Sequence, residues 1–426
     1  MKKRVKEETL IFFSVSKWVL LSVVVGCLVG GSTSIFLAGL NWLSDIAASS
    51  HRYYFLLLPF ALFLSSLSIK FFAPDAEGHG TEKVIEAIHR KDGIIKTAVV
   101  PVKLIATIIT IAFGGSAGKE GPCAQIGAGI ASFFARLFRF DANDRKKLVI
   151  CGISAGFSSV FGTPLAGAMF GVEVLFVGRL HYDVMLPSFI SGVISYNVSS
   201  ALGISYEYHT LTTPLTFSPV LFYKIIFAGI FFGICSFFLI EMIYIGKKFS
   251  DKIRIWGPLK GFIGGSVLII VAFLISPDYL GLGLNTIESA LNGENVPWYA
   301  FLLKSFTTSM TLNFGGSGGV VTPIFFVGSS AGNIFAQILN MDITLFSALG
   351  FVALLAGAAN TPIAASIMAV EVFGSQIAPY AALACVISFL MTGHRSIFPS
   401  QILAFQKSKL INVELEQEIS KVKPDI

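Results

Sequence analysis

Charge is scarce in this sequence. Asp, Glu, Lys and Arg make up 13% of its 426 residues. A water-facing surface needs roughly a quarter of a chain to be charged, so a soluble globule of this size is excluded. Cysteine is also scarce and never paired. Cys27, Cys123, Cys151, Cys235 and Cys385 stand singly in apolar surroundings with no CxxC spacing. That excludes a disulfide framework and a thiolate metal site, and leaves five reduced packing residues. No cofactor, metal or nucleic-acid partner is expected.

Apolar runs fill the space that charge leaves. Hydrophobic residues make up 54% of the chain, and Phe alone occurs 40 times. The runs lie at 10–30, 53–73, 97–113, 184–202, 219–244, 259–276, 299–314, 343–358 and 376–392. Several reach the ~20 residues that a spanning helix needs. Others are shorter and interrupted by Gly or Pro, which implies tilted and broken helices among the spanning ones. The basic start, Met1-Lys2-Lys3-Arg4-Val5-Lys6, imitates a signal peptide. No small-residue cleavage site opens onto a soluble domain, so the run that follows reads as the first membrane segment.

The positive charges are unevenly placed. Lys and Arg concentrate at 2–6, 90–96, 136–147, 247–254 and 404–423, while 205–219 and 277–298 hold neither. The positive-inside rule puts both termini and the 247–254 loop in the cytoplasm and the two basic-free stretches outside. The same clusters serve equally well as anchors on anionic lipid.

The chain repeats itself. Residues 114–135 read GGSAGKEGPCAQIGAGIASFFA and 315–336 read GGSGGVVTPIFFVGSSAGNIFA, aligned without a gap. Gly114, Gly115, Ser116, Gly118, Pro122 and Gly127 recur as Gly315, Gly316, Ser317, Gly319, Pro323 and Gly328. A second pair follows in each half. Thr163-Pro164-Leu165-Ala166 with Val172-Glu173-Val174 matches Thr361-Pro362-Ile363-Ala364 with Val370-Glu371-Val372. Two matches in the same order define a duplicated membrane domain. Matched, glycine-interrupted segments place a site between the halves near the bilayer midplane. Inverted repeats with an odd number of crossings each fit the opposite placement of the termini and the 205–219 linker.

Each glycine loop ends in a proline, Pro122 before Cys123–Phe134 and Pro323 before Ile324–Ile338. Proline suits a first helical turn, where its missing N–H costs nothing. A helix that begins inside the membrane presents free N–H groups and the positive end of its dipole. Two such starts, one from each half, form an anion site without a full positive charge, able to hold and to release. Glu120 stands in the first loop. An intramembrane carboxylate is costly and marks function; charged, it can occupy the anion site, and protonated, it can leave. A purely structural cap is the alternative. Glu173 and Glu371 are equivalent in the two halves, so a structural role is expected for both, each accepting N–H bonds from a neighbouring helix start.

These residues resemble the CLC family of chloride channels and chloride/proton antiporters. Gly118-Lys119-Glu120-Gly121-Pro122 looks like the family's G[KR]EGP, whose glutamate is the external gate. Gly319-Val320-Val321-Thr322-Pro323 looks like GxFxP, whose second and third residues offer N–H groups to the central anion. Gly78-His79-Gly80-Thr81-Glu82 looks like GSGIP, and Thr392–Gln401 resembles the last helix, with Phe398 where a tyrosine is usual. The resemblance runs from about residue 17 to 408. It implies an all-α polytopic membrane protein, a double inverted repeat of tilted and broken helices. It also implies a homodimer in the cell (inner) membrane, with one anion path per subunit and both termini cytoplasmic. By the resemblance, Glu120 is the gate, and His79, Gly80, Lys119, Glu120, Gly121, Val320, Val321 and Phe398 line the anion position.

Three departures qualify that expectation. The family's serine and tyrosine hydroxyls are replaced by His79 and Phe398. A hydrogen bond to a charged group contributes roughly 1.5–3 kcal/mol, although an imidazole N–H can donate and a ring edge is weakly positive. Val174 stands where the antiporters carry an internal proton-relay glutamate. Chloride transport that is channel-like or weakly proton-coupled is expected, with chloride/proton antiport through water as the alternative. A fluoride or nitrate transporter of the same fold and a transporter of an organic solute are further alternatives. An intramembrane serine hydrolase built on the GxSxG spacing of Ser116 or Ser317 is the alternative of another class. The expected organisation is a cytoplasmic segment at 1–16, a first repeat at 17–204, a non-cytoplasmic linker at 205–219, a second repeat at 220–408 and a cytoplasmic tail at 409–426, without the family's cytoplasmic nucleotide-binding domains.

Overall fold

Helices end in this chain where glycine or proline interrupts an apolar run, and they do so twice over. In a computed structural model, residues 2–50, 53–211 and 218–422 are described. Met1, 51–52, the middle of the expected linker (212–217) and the end of the expected tail (423–426) lie outside them. The first eight helices are α1 (Lys2–Ser50), α2 (Leu58–Phe72), α3 (Thr81–Arg90), α4 (Val99–Ala112), α5 (Glu120–Leu137), α6 (Ala142–Phe161), α7 (Pro164–Glu173) and α8 (Tyr182–Ala201). The next eight are α9 (Pro219–Lys252), α10 (Lys260–Leu274), α11 (Leu284–Leu291), α12 (Ala300–Asn313), α13 (Val321–Leu339), α14 (Ile343–Ala359), α15 (Pro362–Phe373) and α16 (Ala378–Met391). Each helix of the first set has its counterpart eight places later. The long first member of each set is followed by a medium one, then by a short one of ten or eight residues.

Among the described residues, five helical stretches are long and apolar enough to cross a membrane: Lys3–Ser49, Tyr54–Phe72, Pro219–Lys252, Gly257–Leu274 and Val321–Leu339. Several others, such as α4 and α15, are apolar but too short. Short helices at membrane depth are tolerated where protein surrounds them, and the buried faces of α4, α5 and α14 meet that condition. α1, at 49 residues, is roughly 70 Å long, more than twice a hydrocarbon core.

Small residues let the central helices touch backbone to backbone, as membrane helix pairs do. A Cβ on Gly127 of α5 would meet the Gly152 carbonyl of α6 at 2.3 Å, and one on Gly328 of α13 would meet the Gly350 carbonyl of α14 at 2.2 Å. The crossing is duplicated along with the helices.

The halves are joined by reciprocal hydrogen bonds, the signature of an inverted repeat. The Gly118 N–H donates to the Gly319 carbonyl (2.7 Å) and the Gly319 N–H to the Gly118 carbonyl (2.6 Å), an antiparallel bridge at the centre of the molecule. Ser116 N–H donates to Thr311 Oγ1 (2.9 Å) and Ser317 N–H to Thr110 Oγ1 (3.0 Å). Farther out, the Glu173 carboxylate accepts the N–H groups of Ile363 and Ala364 at the start of α15, and Glu371 those of Leu165 and Ala166 at the start of α7. Both glutamates have the helix-start contacts expected of them.

The C-terminal segment departs from expectation. Residues 392–401 form turns rather than a last helix. Gly393 is left-handed (φ 70°), and the Ser396 hydroxyl accepts the Phe398 N–H ahead of Pro399, so a helical ladder cannot start. Three two-residue strands follow from this: β1 (Phe176–Val177), β2 (Ile402–Leu403) and β3 (Gln417–Glu418), with β2 parallel to β1 and antiparallel to β3. They fold the tail back onto the domain, where Arg90 of α3 makes a bidentate contact with the Glu418 carboxylate. Arg145 bonds the Asp92 carbonyl, Lys146 pairs with Asp92, and Lys17 pairs with Asp144. The basic clusters at 90–96, 136–147 and the tail therefore share one face.

Candidate functional site

The starts of α5 and α13 meet where the two halves bridge. Both helices begin two residues before the proline rather than after it, with Lys119 and Val320 as their N-caps. Glu120 therefore stands in the first turn of α5 instead of the loop ahead of it. Pro122 and Pro323 sit in the third helical position, where a missing N–H still costs nothing.

Glu120 is fully buried, and its carboxylate reaches across the interface to the other half. One oxygen accepts the Thr322 N–H at 3.0 Å and the other the Thr322 hydroxyl at 2.6 Å. Thr322 belongs to the first turn of α13, so the carboxylate lies on the positive end of that helix, where an anion is favoured. Val321, the counterpart of Glu120, is fully buried and brings no charge, and Val320 is equally enclosed. Lys119 is half-buried beside the carboxylate's own backbone.

The loop before α3 closes one side of this centre. Gly78 and Gly80 both take φ of 82°, which favours glycine. A Cβ on Gly80 would lie 2.4 Å from the Gly121 carbonyl, and one on Gly121 would lie 2.2 Å from the His79 carbonyl. Glycine is needed on both sides for the loop to rest on the first turn of α5. The loop is pinned from beneath by Lys103 of α4, fully buried, whose ammonium donates to the carbonyls of Ala76 (3.1 Å) and Gly78 (2.5 Å). The second half repeats the device. Lys304 of α12 donates to the carbonyls of Tyr279 (3.3 Å) and Gly281 (2.8 Å) ahead of α11.

His79 and Phe398 come together, with ring centroids 5.6 Å apart. Phe398 is fully buried. The Nδ1 atom of His79 is out of contact with solvent and has no hydrogen-bond partner among the described residues. A buried unpaired imidazole nitrogen costs roughly 1–3 kcal/mol, so it marks a place that a polar ligand can fill. Val174 is buried and apolar, and its carbonyl accepts Gln401 Nε2 at 2.8 Å. The structure thus assembles Glu120, Gly121, Val320 and Val321 at one centre, with His79 and Gly80 against it and Phe398 against His79; Val174 is tied to this region through Gln401, three residues after Phe398.

Three groups were missed in the sequence. Thr322 shares its glycine loop with a second hydroxyl, Ser317, so nothing in the sequence singled it out. Lys103 and Lys304 stand at the same offset as the glycine loops, so the duplication already contained them. Glu82 closes the 78–82 motif where the resembling pattern ends in proline; its carboxylate accepts the Ser400 N–H at 3.0 Å and the Ser400 hydroxyl. Among the described residues, the hydrogen-bond partners of the two GxSxG serines are threonines and not histidine: Ser116 Oγ lies 3.1 Å from the hydroxyls of Thr308 and Thr307, and Ser317 Oγ 3.0 Å from Thr107. A nucleophile without a base is not activated, and the hydrolase alternative loses its support.

A family model described as voltage gated chloride channel matches residues 60–393. The chain belongs to this family. Among its relatives, a chloride/fluoride channel protein of Pseudomonas syringae pv. tomato is 34% identical over 402 residues, covering 92% of this chain and 88% of that protein. The voltage-gated ClC-type chloride channel ClcB of Escherichia coli is 28% identical over 327 residues, covering 74% of this chain and 77% of ClcB. The crystal structure of a CLC-type fluoride/proton antiporter superposes with a TM-score of 0.87 at 28% identity, covering 92% of this chain and 99% of that one. A slow cyanobacterial Cl⁻/H⁺ antiporter shares the fold, with a TM-score of 0.76 at 21% identity. Membership of the voltage-gated chloride channel family makes this chain an anion transporter, channel or proton-coupled antiporter.

Proposed function

We propose that each chain moves a small halide across the membrane and that the Glu120 carboxylate is the gate. The observation that carries this is the pair of bonds from Thr322 to Glu120. An anionic side chain already occupies the helix start that an anion needs, so side chain and halide compete for one position. Protonation removes the charge that holds Glu120 there, and the halide takes its place. The N–H groups of Val320 and Val321, the Thr322 hydroxyl and the unpaired His79 nitrogen are the donors it meets. The Phe398 ring edge closes the far side.

Fluoride stands beside chloride as the cargo. Hydroxyl and N–H donors reward fluoride, the smaller ion and stronger acceptor, and two of the proteins that this chain resembles over 92% of its length are described by name as moving fluoride. The path is built within one chain, and a homodimer with two separate paths, in the inner membrane with both termini cytoplasmic, completes the proposal. The test is halide efflux from proteoliposomes loaded in turn with fluoride, chloride or nitrate. Efflux of a halide is expected; vesicles that release none of the three refute the reading.

A further inference from the structure

Two charged residues of α3 reach the C-terminal segment. Oε1 of Glu82, in the first turn, accepts the Ser400 N–H at 3.0 Å and the Ser400 hydroxyl. Arg90, in the last turn, holds the Glu418 carboxylate with two donors, Nε at 2.6 Å being one of them. The two segments held in this way are also bonded to each other. The Ser420 N–H donates to the Pro399 carbonyl (3.0 Å) and the Ile419 N–H to the Gln401 carbonyl (2.9 Å). α3, the turn of residues 396–401 and the tail of residues 418–420 therefore close a ring of contacts.

The turn in that ring carries Phe398. Its backbone is held by short-range bonds: the Phe398 N–H donates to the Ser396 hydroxyl (2.9 Å), and its carbonyl accepts the Gln401 N–H (3.1 Å). No helical ladder runs through these residues, so long-range contacts fix where the turn lies. On one side Gln401 donates to the carbonyls of Val174 and Ala359 and accepts from Asn360. On the other side Glu82 grips Ser400. Glu82 stands three residues after His79, whose ring faces the buried Phe398 ring. The His79 carbonyl in turn lies against Gly121, next to Glu120. Direct contacts thus run from Glu418 through the turn, Phe398 and His79 to the first turn of α5. Because His79 and Glu82 belong to one short stretch, the grip on Ser400 fixes one ring relative to the other.

We propose that Glu82 and Arg90 are positioning residues for the halide: by binding the turn and the tail to α3 they hold Phe398 against His79, and so set how tightly the site bounded by these rings takes its anion. The proposal rests on the transport reading above and adds the residues that set affinity.

Initial efflux from proteoliposomes of the full chain, measured over a series of internal fluoride or chloride concentrations, separates affinity from turnover. Glu82→Ala removes the acceptor and is expected to raise the half-saturating concentration about fivefold or more, with the maximal rate within about threefold of the parent. Glu82→Gln, whose amide oxygen still accepts both Ser400 donors, should stay within about twofold of the parent. Arg90→Gln should shift half-saturation in the direction of Glu82→Ala, by about twofold or more. An unchanged half-saturating concentration in Glu82→Ala or in Arg90→Gln overturns the proposal, and so does a fall in maximal rate alone, which a merely structural role would give. Glu82→Gln behaving like Glu82→Ala also overturns it, since charge and not the grip on Ser400 would then matter. Should Glu82→Ala fail to assemble, Ser400→Ala decides by the same two outcomes. A parent protein that releases no halide refutes the transport reading itself.

Discussion

Thr322 holds the Glu120 carboxylate by two donors, one from the backbone and one from its hydroxyl. Only the hydroxyl can be removed by substitution. A hydrogen bond to a charged acceptor contributes roughly 1.5–3 kcal/mol, and about 1.4 kcal/mol is a factor of ten in occupancy. Thr322→Val should therefore let the carboxylate leave more often and raise halide efflux at neutral pH about tenfold, while Thr322→Ser should keep the parent rate. Efflux from matched proteoliposomes reads the difference, and equal rates in all three proteins would remove Thr322 from the gate. At this scale the sequence showed the carboxylate but not its partner. Glu120 could be singled out because a charge in an apolar run has few explanations. Its bond to Thr322 joins residues 202 apart, and no local pattern announces such a contact. Glu82 and Ser400, 318 apart, were hidden for the same reason.

The short helices α3 and α11 are set by their lysines. Each ammonium satisfies two carbonyls of the loop ahead, and a lost donor leaves buried acceptors costing roughly 1–3 kcal/mol each. Lys304→Met and Lys103→Met should both lower the unfolding temperature in detergent. Lys103→Met should also reduce halide efflux, because its loop carries His79 and Gly80. Lys304→Met, at an equivalent loop with no counterpart of His79, should leave efflux within about twofold once folded protein is matched. Equal losses of efflux in the two variants would contradict the asymmetry of the halves. The elements were largely legible: glycine loops and helix-opening prolines recur at one offset because backbone approach and helix starts demand those residues. Helix starts were read two residues late, since an N-cap of Lys or Val carries no capping signature. The turn at 392–401 was read as helix because the resemblance outweighed Gly393 and Pro399, whose local preferences prevailed.

Across the whole molecule, the duplicated domain is closed by exchange of contacts, and the tail is strapped to it by two ion pairs, Arg90 with Glu418 and Arg179 with Glu416. The Arg90 guanidinium holds the Glu418 carboxyl below its ordinary value of 4.5. A lowered value in the folded chain means that the strap is fully stabilised above the ordinary carboxylate range and is lost as pH falls through the lowered one. Hydrogen exchange at the amides of 417–420 should therefore be slow at neutral pH and quicken as the medium is taken from about pH 5 towards about pH 3. In Glu418→Gln it should be fast at every pH. Exchange that ignores pH in the parent would detach the tail from this ion pair. The duplication itself rests on Glu173 and Glu371, which grip each other's halves. The central claim is that the buried carboxylate of Glu120 and the halide exclude one another. Proteoliposomes of the parent and of Glu120→Gln, compared for halide efflux across a pH series, test it most directly. The account predicts efflux that rises on acidification in the parent and a high, pH-independent efflux in Glu120→Gln; the parent's pH dependence persisting in Glu120→Gln would contradict it.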